Sequence, residues 1–246
     1  MIPALAVVFE DEWLLVVDKP PGLLMHPSWL DRYETDTLAS RVKTYLVAKN
    51  EFGKVHTVHR LDRPTSGLVI IAKTDAVARQ LAEQFRSHQV KKVYWAICRG
   101  FVPEEISVDY ALTEQLDKIG DKFASKVPEP QAAQTDFRRQ GCAELAIPVS
   151  RYAQSRYSWV ICSPHTGRKH QIRRHLKHIR HPILGDSKHG CRHHNKVALA
   201  ELGVTSLALR AVNIGFRHPV TDSWLEMEAP LTALWRQWLV QFGWNT

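Results

Sequence analysis

Cysteine is scarce in this chain of 246 residues, and what there is never pairs in sequence. Cys98, Cys142, Cys162 and Cys191 stand far apart with no CxxC among them, which argues against a zinc ribbon or a disulfide framework and fits a reducing cytoplasm. No apolar run approaches the roughly 20 residues that a membrane helix needs. The opening MIPALAVVFEDE has no basic leader and soon meets acids, so it is not expected to act as a signal peptide. Internal repeats, low-complexity linkers and a regular βαβ alternation are all missing as well.

Apolar residues make up 44% of the chain, enough for a substantial core and too many for a disordered protein. Positive charge is in excess: 33 Lys and Arg against 25 Asp and Glu give +8, with 13 histidines besides. A sequence pI near 9.4 suits a polyanionic partner, RNA or DNA before a membrane surface.

Leu5–Phe9 and Trp13–Asp18 read as short strands, and Thr37–Lys49 as a helix. Leu68–Ala72 is a buried strand, and Asp75 should cap a helix that puts Val77, Leu81 and Phe85 on one face. Lys92–Arg99 and Arg156–Ser163 read as strands, 168–181 as a helix, 206–217 and 224–228 as strands, and a last amphipathic helix starts near Leu231. Residues 101–134, charged and proline-bearing, look like an insertion. This mixture predicts an α+β fold, a single domain over 1–246 with a mostly antiparallel sheet and flanking helices.

Two places carry candidate chemistry. In HRLDRPTSG (59–67) one acid, Asp62, sits between Arg60 and Arg63 just before a strand. Neighbouring guanidinium groups favour an ionised carboxylate, which suits a nucleophile or the stabiliser of a cationic sugar better than a proton donor. A turn aspartate with a weak surface ion pair is the plain alternative, and composition alone favours it. In the second place, 164–186, Ile172, Leu176 and Ile179 should face the core, with Lys169, Arg173, Lys177 and Arg180 on one flank. Arg173, nearest the apolar edge, should be partly buried and seek a carboxylate. The other three can meet phosphates, although most such basic faces are simply solvated. Cys191, His193 and His194 fit no structural zinc spacing, and a His-rich basic loop is expected there instead of a metal site.

HRLDRPTSG resembles the catalytic motif of the RluA family of pseudouridine synthases. DKPPGLLMHP (18–27), KKVYWAICRG (91–100) and GRKHQIRRH (167–175) resemble three further motifs of that family in the same order. HPSWLDRYE (26–34), LDKIGDKFA (116–124), GDSKHG (185–190) and QFGW (241–244) resemble its tRNA-modifying subgroup, and Lys169 stands where many relatives carry Thr or Ser. Nothing resembling an S4 RNA-binding module precedes the catalytic part.

The resemblance implies a pseudouridine synthase fold with a central RNA-binding cleft, and a cytoplasmic monomer that uses no cofactor and no metal. Its implied reaction is conversion of a uridine in tRNA, uridine 65, to pseudouridine. Asp62 would be the nucleophile, Tyr94 would pack on the flipped base, and Arg173 would pair with Asp62. Arg60 would enter the space left by the base, and Lys19 and His26 would be structural or lie near the RNA. The rival expectations are ribosomal RNA as substrate, a ribonuclease using His and Lys, and a non-catalytic RNA-binding module.

Overall fold

The computed structural model of the chain describes residues 4–27, 33–114 and 129–244. Residues 28–32 of HPSWLDRYE, the whole of LDKIGDKFA and the middle of the expected insertion lie outside the described residues. The elements run β1 (Ala6–Glu10), β2 (Leu14–Lys19), α1 (Leu38–Ala48), β3 (His56–Thr57), β4 (Ser66–Ala72), α2 (Asp75–Arg86) and β5 (Lys91–Arg99). They continue β6 (Glu105–Asp109), β7 (Leu112–Thr113), β8 (Pro130–Gln131), β9 (Gln134–Leu145), β10 (Ser155–Pro164), α3 (Gln171–His178) and α4 (Arg192–Leu202). The last are β11 (Leu209–Arg217), β12 (Trp224–Glu228) and α5 (Ala233–Gln241). The described residues cluster into two compact units, 4–92 with 211–229, and 93–114 with 129–210 and 230–244.

In the first unit the strand order is β1-β2-β4-β11, with β3 on β4 and β12 on β11. β2 and β4 are buried at every residue, which is why their LLVV and LVIIA segments read as continuous apolar runs instead of alternating ones. Helix α2 covers them with Val77 and Leu81, and Val90, Ile214 and Phe216 join the same cluster. Its N-cap is Thr74, whose side chain accepts from the Val77 N–H, so the expected cap Asp75 is the first helical residue. Helix α1 starts on a capping box in which Thr37 and Ser40 satisfy each other's backbone N–H. Cutting the fully buried Leu81 back to alanine would cost about 2–5 kcal/mol.

In the second unit β5, β10, β9 and β6 form consecutive antiparallel pairs. β6 puts Ile106 opposite Phe137 and Val108 opposite Thr135, so the described part of 101–134 builds sheet. Helix α5 seats Trp235 and Trp238 in the core; Trp238 also donates to the carbonyl of Gly203 at 2.9 Å. α3 spans only 171–178 of the expected 168–181, because His170 (φ 57°) and Arg180 (φ 67°) are left-handed and end the helix on either side.

Candidate active site

The HRLDRPTSG loop is fixed at both ends to the strand it feeds. His59 accepts the N–H of Ile70 through Nε2 at 2.9 Å and stacks on Phe85 at 4.5 Å. Burial pushes its pKa down to about 3, so the ring is neutral and that acceptor is always present near neutrality. Leu61 turns inward, leaving Arg60 and Arg63 exposed and Asp62 half-buried between them. The Thr65 N–H closes a turn on the Asp62 carbonyl at 3.0 Å. Gly67 follows at φ +112°, where an added Cβ would lie 2.1 Å from the Ala211 carbonyl oxygen, so no other residue fits this close approach.

Lys19 holds this loop from beneath. It is fully buried, and its Nζ donates to the carbonyls of Leu23 at 2.9 Å, Pro20 at 3.0 Å and Arg63 at 3.1 Å. Gly22 and Arg63 are joined twice more, by the Gly22 N–H to the Arg63 carbonyl at 2.9 Å and by Arg63 Nε to the Gly22 carbonyl at 3.0 Å. DKPPG and HRLDRP are thereby one knitted structure. Burial lowers the Lys19 pKa to about 7, against the pull of the Asp62 and Asp18 carboxylates and with some repulsion from Arg63. Of the two readings of Lys19, structural or near the RNA, these contacts favour the structural one: its Nζ is directed at three protein carbonyls, out of solvent. His26 is exposed, 3.3 Å from the Thr57 hydroxyl, and burial and the charge of Arg60 both lower its pKa. His26 and Arg60 thus share a solvent-facing neighbourhood.

In the second unit Arg173 is buried, and its carboxylate is Asp186. Nε donates to Oδ2 at 2.7 Å and Nη2 to Oδ1 at 2.9 Å, a two-point fork that fixes the guanidinium plane. Asp186 is itself fixed. Its Oδ1 accepts the N–H groups of Lys188 at 2.9 Å and His189 at 2.8 Å, and its carbonyl accepts Asn195 Nδ2 at 2.8 Å. Despite a desolvation cost, these donors, Arg173 first, lower the Asp186 pKa. Gly190 completes the loop, since a Cβ there would come 2.1 Å from the Asp186 carbonyl oxygen. His189, with its pKa lowered to about 4 by burial, shares a 2.8 Å hydrogen bond with His170 at the start of α3. Tyr94, half-buried on β5 opposite Cys162, packs against the larger core cluster. Lys169, Lys177 and Arg180 are exposed, but only Lys177 lies on α3 itself, so the expected single basic flank is broken.

Residues 13–178 match the family model described as RNA pseudouridylate synthase, a span that takes in Lys19, Asp62, Tyr94 and Arg173. The chain belongs to that family. A tRNA pseudouridine synthase C of Salmonella typhimurium is 44% identical over 98% of this synthase and 91% of the relative. One of Pectobacterium carotovorum is also 44% identical over 98% of the chain, which spans 63% of that relative's length. Among solved structures, Human RNA Pseudouridylate Synthase Domain Containing 4 matches with a TM-score of 0.72 at 27% identity, covering 98% of this chain and 94% of that one.

Two features of the synthase escaped the sequence reading. Asp186 lies beyond the family match, and only its place in the GDSKHG motif drew notice to it. The segment 191–194 was expected as a loop, yet Cys191 is the N-cap of α4 and Arg192 its first residue. There Arg99 Nη1 lies 3.6 Å from the Cys191 sulfur, and His194 Nδ1 lies 3.3 Å from the Tyr157 hydroxyl. Among the described residues no three His, Cys, Asp or Glu side chains are arranged to hold a metal ion.

Proposed function

We propose that this pseudouridine synthase acts on tRNA, at uridine 65, with Asp62 as its nucleophile. The observation that carries the assignment is the HRLD loop itself: a half-buried carboxylate flanked by two exposed arginines, held by Lys19 and His59. The names of the relatives support tRNA as the substrate class. The reaction breaks the bond between ribose C1′ and uracil N1, turns the base, and rejoins it through C5, with loss of the C5 proton and uptake of one at N1. No electron is transferred and no water is added, so the chemistry calls on neither redox cofactor nor metal. Attack at C1′, addition to base C6, and a route through a glycal each call on a carboxylate, and Asp62 is the one assigned to it.

Tyr94 and Arg173 are assigned to the same reaction, the tyrosine against the base and the arginine in support of the nucleophile's charge. Arg60 and His26, exposed side by side, are assigned to the RNA, along with Lys169, Lys177 and Arg180. The target must leave its stack, which costs a few kcal/mol and is offset by such contacts. Residues 1–246 act as one catalytic domain, monomeric and cytoplasmic.

Tritium release from [5-³H]uridine-labelled tRNA, and separately from ribosomal RNA, tests this reading. Release from tRNA alone, lost in Asp62→Asn while RNA binding stays within about tenfold, is the expected result. Mapping the product to another position would refute uridine 65. Release only from ribosomal RNA would overturn the substrate, and activity retained in Asp62→Asn would overturn the nucleophile. Shortened RNA with no release would favour the nuclease.

A further inference from the structure

The outer face of α3 carries an aromatic pair that the reading above leaves without a role. Arg174, Lys177 and His178 follow one another at helical spacing on that face, the last two exposed. Against His178 lies Tyr110, from the turn after β6, with ring centroids 3.8 Å apart and planes 20° from parallel. Tyr110 is still 45% exposed. A single exposed tyrosine is ordinary and needs no explanation. A tyrosine stacked on an exposed histidine, with cations on the same helix face, is less ordinary.

Its mount is rigid as well. The Tyr110 N–H donates to the Ala133 carbonyl at 3.0 Å, and its own carbonyl accepts His175 Nε2 at 3.0 Å. That fixes the tautomer of the fully buried His175: Nδ1 accepts, and the Thr135 hydroxyl donates to it at 3.0 Å. Arg174 Nη1 donates to the Thr113 carbonyl at 2.9 Å, tying the same segment to α3 a second time. The pair of rings is therefore set before any ligand arrives, and little side-chain freedom is left to lose on binding. Asp109 is the carboxylate whose charge reaches this group, through His175. Against it stand Arg174, Lys177 and, just past the helix end, Arg180.

We propose that Tyr110 and His178 form a stacking platform for an unpaired nucleobase of the substrate RNA, with Lys177 at the adjoining phosphate. An aromatic face beside cations suits a base on its phosphate backbone, and base–aromatic stacking is worth enough to matter for substrate affinity. The proposal rests on the RNA-modifying reading above and adds to it a contact to a base other than the reacting uridine.

The test measures KM and kcat by tritium release for Tyr110→Leu, Tyr110→Phe and His178→Ala, with ultraviolet crosslinking of wild type to the same tRNA. Tyr110→Leu should raise KM about tenfold with kcat within about twofold, Tyr110→Phe should match wild type, and the crosslink should map to Tyr110. Equal KM for Leu and wild type, or equal losses for Leu and Phe, would overturn the platform while leaving the synthase reading intact. Should Tyr110→Leu fail to fold, His178→Ala at the exposed end of α3 carries the comparison, and an unchanged KM there overturns the proposal. If the wild type releases no tritium from any RNA, the function fails; the crosslink alone then decides the platform, for it at Tyr110 and against it elsewhere.

Discussion

Each of the two units has a buried cation under a functional loop, Lys19 in one and Arg173 in the other, and the two are stabilised in opposite ways. Lys19 is surrounded by backbone carbonyls, and Arg173 is gripped by a carboxylate. A lysine hydrogen-bonded to carbonyls, with no carboxylate directly on its Nζ among these bonds, pays for its desolvation in its proton, and its pKa falls to about 7 despite the pull of Asp62 and Asp18. An arginine cannot make that concession, so its burial demands a fixed counter-charge, and Asp186 is fixed by two backbone N–H groups for the purpose. The first unit thus has a mount that can titrate near neutrality; the second has one that stays charged.

The sharpest way to break this comparison is to remove the counter-charge. Asp186→Ala leaves Arg173 buried without its fork and should destabilise the protein by about 3–5 kcal/mol, read from the urea unfolding midpoint. A loss below about 1 kcal/mol would mean that water or another acid takes over, and that the Asp186 fork is not what supports Arg173.

The matching change in the first unit should read out in pH dependence. The folded pKa of Lys19, about 7, lies below its value of 10.5 in the unfolded chain. Between those values the unfolded chain holds more protons, so wild-type stability gains from rising pH, by up to about 1.4 kcal/mol per pH unit from this group. Below pH 7 the burial penalty is present in full. Lys19→Met should abolish that contribution, so the gap between wild type and variant widens from pH 7 to 9.5 in favour of wild type. Parallel profiles would show that Lys19 is charged throughout and that the contrast with Arg173 is false.

How far these mounts could be seen in advance differs in the same way. β2, β4 and the Val77–Leu81–Phe85 face of α2 were legible because each is a local apolar pattern matching one period. The buried arginine in QIRRH was legible from the apolar stripe beside it, whereas the acid in HRLD stood out only through the family resemblance. β9 was missed because only alternate residues such as Thr135 and Phe137 turn inward, and Arg138, Arg139 and Gly141 break up the signal. α4 was missed because its N-cap Cys191 is followed by five polar residues, with no side-chain cap. The burial of Lys19 and the role of Asp186 depend on chain closure over 44 and 13 residues respectively, which no local pattern records.

The smallest expected effect separates buried from exposed charge within one helix. Lys177 is exposed and stands four residues after the buried Arg173, so both belong to α3 but face different surroundings. Lys177→Ala removes a solvated cation and should change stability by less than about 0.5 kcal/mol. If Lys177 neutralises one phosphate, the variant should bind tRNA severalfold more weakly at low salt, and the slope of log affinity against log salt should fall by about 1. That loss should shrink as salt rises, whereas the loss from Asp186→Ala should persist, because a buried pair is screened far less than an exposed charge. An unchanged slope would place Lys177 off the RNA and move the electrostatic footprint to Arg60, Lys169, Arg180 and the other exposed cations.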